Sequence, residues 1–209
     1  MMILYLHGFR SSPASFKARL MAQAMADRGL ADDWRCPQLP ASPREAIELA
    51  MSLAHELLDR AGRSPGADGK AASGPRALTV IGSSLGGYYA GWLAEQLGCR
   101  AVLLNPAVHA PRDLATQVGA QTMYHSGEPF EFQPEFVAEL AAIEIERPTR
   151  PERYFLVAAT GDEVLDWQEM RDFYAGCRQR IIPGSDHGIA DFEKYLPEVL
   201  EFALRDGHS

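Results

Sequence analysis

Residues 82–86 read Gly82-Ser83-Ser84-Leu85-Gly86, after the apolar stretch ALTVI and before the helically spaced GYYAGWLAEQL. A strand, a G-x-S-x-G turn and a helix in that order are what a nucleophile elbow requires. Turning from strand to helix in so few residues forces the central side chain into a strained backbone conformation. Glycines at the flanks remove the side chains that would collide. Ser84 would then stand above the sheet with a helix amino terminus beneath it, where positive potential favours a developing anion. The competing reading is a Gly/Ser turn whose hydroxyl only caps the helix.

A serine hydroxyl is a weak nucleophile until a base takes its proton. Of the six histidines, His187 is best placed, in Pro183-Gly184-Ser185-Asp186-His187-Gly188 between the last strand and the final helical segment. His55 falls inside a helix, His208 in the tail, and His109 and His125 in an irregular region where exposed or structural roles are expected. An imidazole base needs a carboxylate to hold its tautomer. Asp162 is the first acid after the strand YFLVAA. Asp166 competes for that role, but with Glu169 it has the spacing of a helix cap, and Glu163 is expected to be solvated. The chain order Ser84, Asp162, His187 is that of α/β-hydrolases.

Acyl chemistry also needs donors for an oxyanion. The backbone amide of Leu85 is one, and the loop His7-Gly8-Phe9-Arg10 after the first strand supplies the other, assigned to Phe9. Substrate contacts are expected from Arg10, which would steer an anionic group or form a surface ion pair. Asn105, at a strand end, and an apolar wall containing Phe130 and Phe132 are further candidates. Structural roles compete for all three.

These residues need a scaffold that gathers strand ends. Short apolar runs alternate with helical spacing, which predicts an α/β fold: a mostly parallel sheet of about six strands with helices on both faces. The strands are expected at 2–6, 34–36, 77–81, 101–104, 154–158 and 178–182. Ser12-Pro13 and Ser42-Pro43 mark helix starts, the second with capping-box spacing to Glu45. Ala46, Ile47, Ala50, Leu53, Ala54, Leu57 and Leu58 then form one apolar stripe. Residues 62–76 are rich in Gly, Ser, Ala and Pro and read as a mobile surface loop. Residues 107–151, with five prolines, an aromatic cluster and one helix near 136–145, read as a small lid-like insertion.

The 209 residues predict one domain over 1–209, and 46% hydrophobic with 23% charged residues is an ordinary globular composition. A net charge of -8 argues against nucleic acid as a partner. Cys36, Cys99 and Cys177 lack paired or metal-ligand spacing, so buried free thiols are expected, with no metal site. The amino terminus carries no basic n-region, and its apolar run is too short for a membrane span, so a cytoplasmic location is expected.

The blocks YLHGFRSSP, RCPQLP, GSSLGGYYA, NPAV, TGDEVLD and GSDHG, in this order, resemble the small bacterial YqiA-type esterases of the α/β-hydrolase superfamily. The likeness spans nearly the whole chain. It implies a trimmed hydrolase sheet lacking the superfamily's first two strands, and a serine esterase acting on small-molecule acyl esters, acyl thioesters included. It also implies a triad of Ser84, Asp162 and His187 with Phe9 and Leu85 amides as the oxyanion hole, and no cofactor. Two alternatives stay open: a non-catalytic ligand-binding protein of the same fold, and acyl transfer to an acceptor other than water.

Overall fold

The computed structural model describes residues 1–63 and 74–205. Most of the Gly/Ser-rich stretch at 62–76, and His208, lie outside the described residues. Six strands form one sheet: β1 (Met2–Leu6), β2 (Trp34–Arg35), β3 (Leu78–Ser83), β4 (Arg100–Leu104), β7 (Tyr154–Ala159) and β8 (Arg178–Ile182), in the order β2-β1-β3-β4-β7-β8. Every neighbouring pair is parallel.

The alternation of side chains along these strands builds two cores. Ile3, Tyr5, Ile81, Val102, Phe155 and Val157 face α1 (Phe16–Ala26) and α7 (Leu196–Ala203). Leu4, Leu6, Val80, Leu103 and Leu156 face α2 (Pro43–Arg63) and α3 (Leu85–Leu97). A sheet covered on both faces needs apolar residues at every position of its inner strands, and β1 and β3 are buried along their whole lengths. The predicted stripe on α2 is where the helix meets the sheet, with Ala46, Ala50, Ala54 and Leu57 fully buried.

The start of α2 follows the capping expectation: the Ser42 hydroxyl accepts from the Glu45 amide at 3.2 Å. A second carboxylate completes this end, because Glu139 accepts from the Ser42 hydroxyl at 2.7 Å and from the Arg44 amide at 3.1 Å. Ser12-Pro13 does not open a helix. The Ser12 hydroxyl accepts from the Ala14 amide in a local turn, and α1 begins at Phe16.

The region 107–151 contains α4 (Ala110–Leu114), an antiparallel hairpin of β5 (Gly119–Thr122) and β6 (Pro129–Phe132), and α5 (Pro134–Ala141). The hairpin departs from the expected helical insertion, in which one helix near 136–145 is the only element. Its strands, GAQT and PFEF, are only four residues long, and tertiary contacts tie them down: the Tyr124 amide donates to Arg10 O at 2.8 Å, and Arg10 Nε donates to Thr122 O at 2.7 Å. The remaining helix is α6 (Trp167–Phe173). No helix among the described residues is long and apolar enough to cross a membrane.

Candidate active site

In the sheet order, β2 is added on one side of β1 and β3 on the other, which makes the β1–β3 crevice the topological switch point where open parallel sheets bind ligands at their carboxyl ends. The loops after both strands meet there. Ser84 sits on the turn into α3 with φ 56° and ψ -121°, a conformation rare for a residue with a Cβ. Its neighbours make the turn possible. A Cβ on Gly82 would lie 2.0 Å from Gly86 O, and one on Gly86 would lie 2.0 Å from Leu6 O. Gly8 approaches so closely that an added Cβ would stand 3.1 Å from Ser84 Cβ. The Ser84 hydroxyl does not cap α3.

The loops after β7 and β8 are laced together. Thr160 N donates to Ile182 O at 2.9 Å, Gly161 N to Gly184 O at 3.1 Å, and Gly184 N to the Thr160 hydroxyl at 2.8 Å. This brings His187 Nδ1 to 2.7 Å from Asp162 Oδ2, with the Asp162 side chain fully buried and that of His187 21% exposed. Asp162 Oδ1 accepts from the amides of Val164 and Leu165, both at 2.8 Å. Its carboxylate is therefore held by three donors, and Nδ1–H is the tautomer that suits it. Asp166 lies elsewhere in function: its side chain caps α6, accepting from Gln168 N at 2.8 Å.

Ser84 and His187 line one cavity of about 770 Å³, together with Gly8, Phe9, Arg10 and Leu85. Among the described residues, neither the Phe9 amide nor the Leu85 amide donates to a protein acceptor. His7 holds the loop that carries Phe9. Buried at 3% exposure, it donates from Nδ1 to Gly8 O and accepts the Leu39 amide at Nε2, both at 3.0 Å. Burial lowers its pKa below the ordinary 6.5, in keeping with a ring that must stay neutral to accept at Nε2.

Other expectations are redirected. Asn105 does not line the cavity. It is completely buried, with φ 43°, and its amide donates to Asp186 O (3.1 Å) and His187 O (3.0 Å) while Oδ1 accepts from Ala159 N (2.8 Å). Phe132 is a core residue, and Phe130 faces a neighbouring cavity of about 720 Å³ on the far side of the Gly8–Arg10 loop. Both rings pack edge-on against Phe9, at 5.2 and 5.9 Å between centroids, so they brace the loop that carries the Phe9 amide. Glu163 is not simply solvated, since its carboxylate accepts the His187 amide at 3.0 Å.

Of the other histidines, His125 bonds the Ser12 hydroxyl and His109 stands edge-on to Phe173. The cysteines are free. Cys99 is buried and Cys36 and Cys177 are half-buried, short of the expected full burial, yet desolvation still pushes their thiols up to about 12, 12 and 11. Thiols so raised are poor nucleophiles. Among the described residues no cluster of three His, Cys, Asp or Glu side chains is placed to hold a metal ion.

Comparison with known proteins shows the family and the fold. The model of the uncharacterised protein family UPF0227 matches residues 2–204. The chain belongs to UPF0227. This is the YqiA-type family that the sequence blocks resemble. Solved structures share the fold of this UPF0227 chain at low identity. A putative hydrolase from Agrobacterium vitis S4 matches with a TM-score of 0.70 at 15% identity, over 97% of this chain and 87% of that one. The ferulic acid complex of Est1E from Butyrivibrio proteoclasticus gives 0.66 at 16%, over 98% and 88%. The monoacylglycerol lipase of Paleococcus ferrophilus gives 0.64 at 13%, over 97% and 93%. The UPF0227 chain has the α/β-hydrolase fold.

Proposed function

We propose that this protein is a serine esterase hydrolysing acyl esters, thioesters included, through Ser84, His187 and Asp162 and a covalent acyl-enzyme. One observation carries the proposal: a strained elbow serine shares a cavity with a histidine whose Nδ1 is bonded to a buried carboxylate.

With Nδ1 engaged by Asp162, His187 Nε2 is the ring's free base. It takes the Ser84 proton as Oγ attacks the acyl carbonyl, and Asp162 stabilises the imidazolium that results. The oxyanion settles against the Phe9 and Leu85 amides, and such donors contribute about 3 to 4 kcal/mol each in preorganised sites. The imidazolium then protonates the departing alcohol or thiol, and water repeats the sequence on the acyl-enzyme. Phe16, Tyr124 and Val164 are large, exposed apolar side chains lining the same cavity, a suitable rest for the apolar part of an ester.

A fluorophosphonate probe and a graded series of acyl esters test the proposal together. Wild type is expected to be labelled and to turn esters over, and Ser84→Ala to lose labelling and at least about 10⁴-fold in kcat. A folded wild type that is neither labelled nor active overturns the proposal in favour of a binding protein. Products diverted to an added alcohol in preference to water would favour acyl transfer.

A further inference from the structure

We infer that the cavity contains an anion subsite, built by Lys17 and Ser15 at the amino terminus of α1, that selects esters whose alcohol part carries a carboxylate. The inference rests on the esterase reading above.

The charges in the cavity wall do not cancel. Arg112 is consumed by Asp113 at 2.8 Å and by Glu169 at 2.7 and 2.9 Å. Two cations remain, Arg10 and Lys17, and among the described residues neither has a carboxylate within ion-pair distance. The protein as a whole carries -8. A cationic cavity in an acidic molecule draws anions to that one place.

Lys17 is unusual in three respects. It is 8% exposed, whereas lysine is almost never so buried without a paired charge. Its ammonium donates to Gly188 O at 2.6 Å, which leaves two of its three protons for another acceptor. It also stands in the first turn of α1, where the helix dipole disfavours a cation and no acidic residue offsets it. Asp186 and Asp162 act on it only through space, and burial brings its pKa down to about 8, so it is charged at neutral pH.

Ser15 supplies an independent sign. Its Oγ is buried and, among the described residues, has no hydrogen-bond partner, although Ser15 lines the cavity and occupies the cap position of α1. A buried hydroxyl, an ammonium with spare protons and the uncapped amides of Phe16 and Lys17 are three kinds of donor gathered at the amino terminus of α1, with no carboxylate paired to any of them. A carboxylate satisfies them. The side is set by Gly188, adjacent to His187: the leaving group departs where His187 protonates it, so the anion belongs to the alcohol part.

The test compares 4-acetoxybenzoate with neutral 4-acetoxybenzamide, and, for a charge on the acyl side, 4-nitrophenyl hydrogen adipate with 4-nitrophenyl hexanoate. A charged hydrogen-bonded contact predicts a roughly ten- to hundredfold preference in kcat/KM for 4-acetoxybenzoate, and little preference in the acyl pair. Lys17→Met should bring the first ratio close to one. Ser15→Ala, which breaks no protein hydrogen bond, should lower it severalfold and serves if Lys17→Met fails to fold. Binding of both acetoxy compounds to Ser84→Ala, by calorimetry, reads the subsite without catalysis. Equal binding there, a preference surviving both substitutions, or a preference confined to the adipate pair overturns the subsite. Absent labelling and turnover alongside selective binding to Ser84→Ala overturns the esterase reading instead.

Discussion

The side-chain amide of Asn105 donates to the backbone carbonyl of His187 at 3.0 Å, so a residue at the end of β4 holds the loop that follows β8. The same side chain reaches Asp186 O and Ala159 N, and its backbone N bonds Val157 O. Three strand ends converge on one buried amide. Asn105→Ala would leave three backbone groups without partners in a site closed to water. A loss of about 3 kcal/mol is expected in denaturant melts, with kcat falling more than KM rises. Asn105→Asp should be worse, because a carboxylate would face two carbonyl oxygens. Unchanged stability in both variants would contradict this role.

Asp162 and Asp166 are four residues apart and do different work. Asp162→Asn keeps the shape but favours the wrong tautomer of His187, and about a 10⁴-fold drop in ester turnover is expected. Asp166→Asn retains a competent cap, and Asp166→Ala costs about 1 kcal/mol of stability. Its turnover should stay near wild type, as parallel kinetics and thermal melts will show.

Gly86 is the tightest point of the elbow. A methyl group there would stand 2.0 Å from Leu6 O, a backbone atom of β1, a strand hydrogen-bonded on both sides that has nowhere to move. Gly86→Ala is therefore expected to yield insoluble or molten protein, whereas Ser84→Ala should melt at or slightly above the wild-type temperature because alanine removes no cap bond. Circular dichroism on the two variants separates folding from chemistry.

His7 ties stability to pH. Its folded pKa lies below the ordinary 6.5, so between those two values the unfolded chain binds the extra proton. The His7 contribution to stability should be constant above about pH 6.5, decline as pH falls below it, and level off under the folded pKa. In His7→Leu that slope should shrink. The loss of bonds to Gly8 O and Leu39 N should also cost about 2 kcal/mol and lower kcat through the Phe9 loop. Urea melts from pH 5 to 8 measure both effects.

Lys17→Met separates burial from binding in the same way. A buried lysine is lowered to about 8 because burial disfavours its charge, so its unfolded form holds the proton more tightly. Wild-type stability should therefore rise with pH between about 8 and 10.5, and that rise should vanish in the variant.

The strands and the elbow were legible in the amino-acid order because their causes are local. β1 and β7 lie where apolar runs predict them, and Gly82, Ser84 and Gly86 state the turn in their own side-chain sizes. The expectation about nucleic acid was legible for a similarly simple reason, since charge is a sum. The β5–β6 hairpin was hidden, because GAQT and PFEF are short, pair only with each other and pack on Arg10 and Phe9, more than a hundred residues away. So were the supports of His187. Asn105 and Glu163 reach it, and Lys17 reaches its neighbour Gly188, from three different elements, and no spacing along a chain encodes a contact that depends on how β4, β7 and α1 pack. Residue types named the chemistry within reach. Only the folded sheet, by drawing its carboxyl ends to one edge, decided which side chains meet.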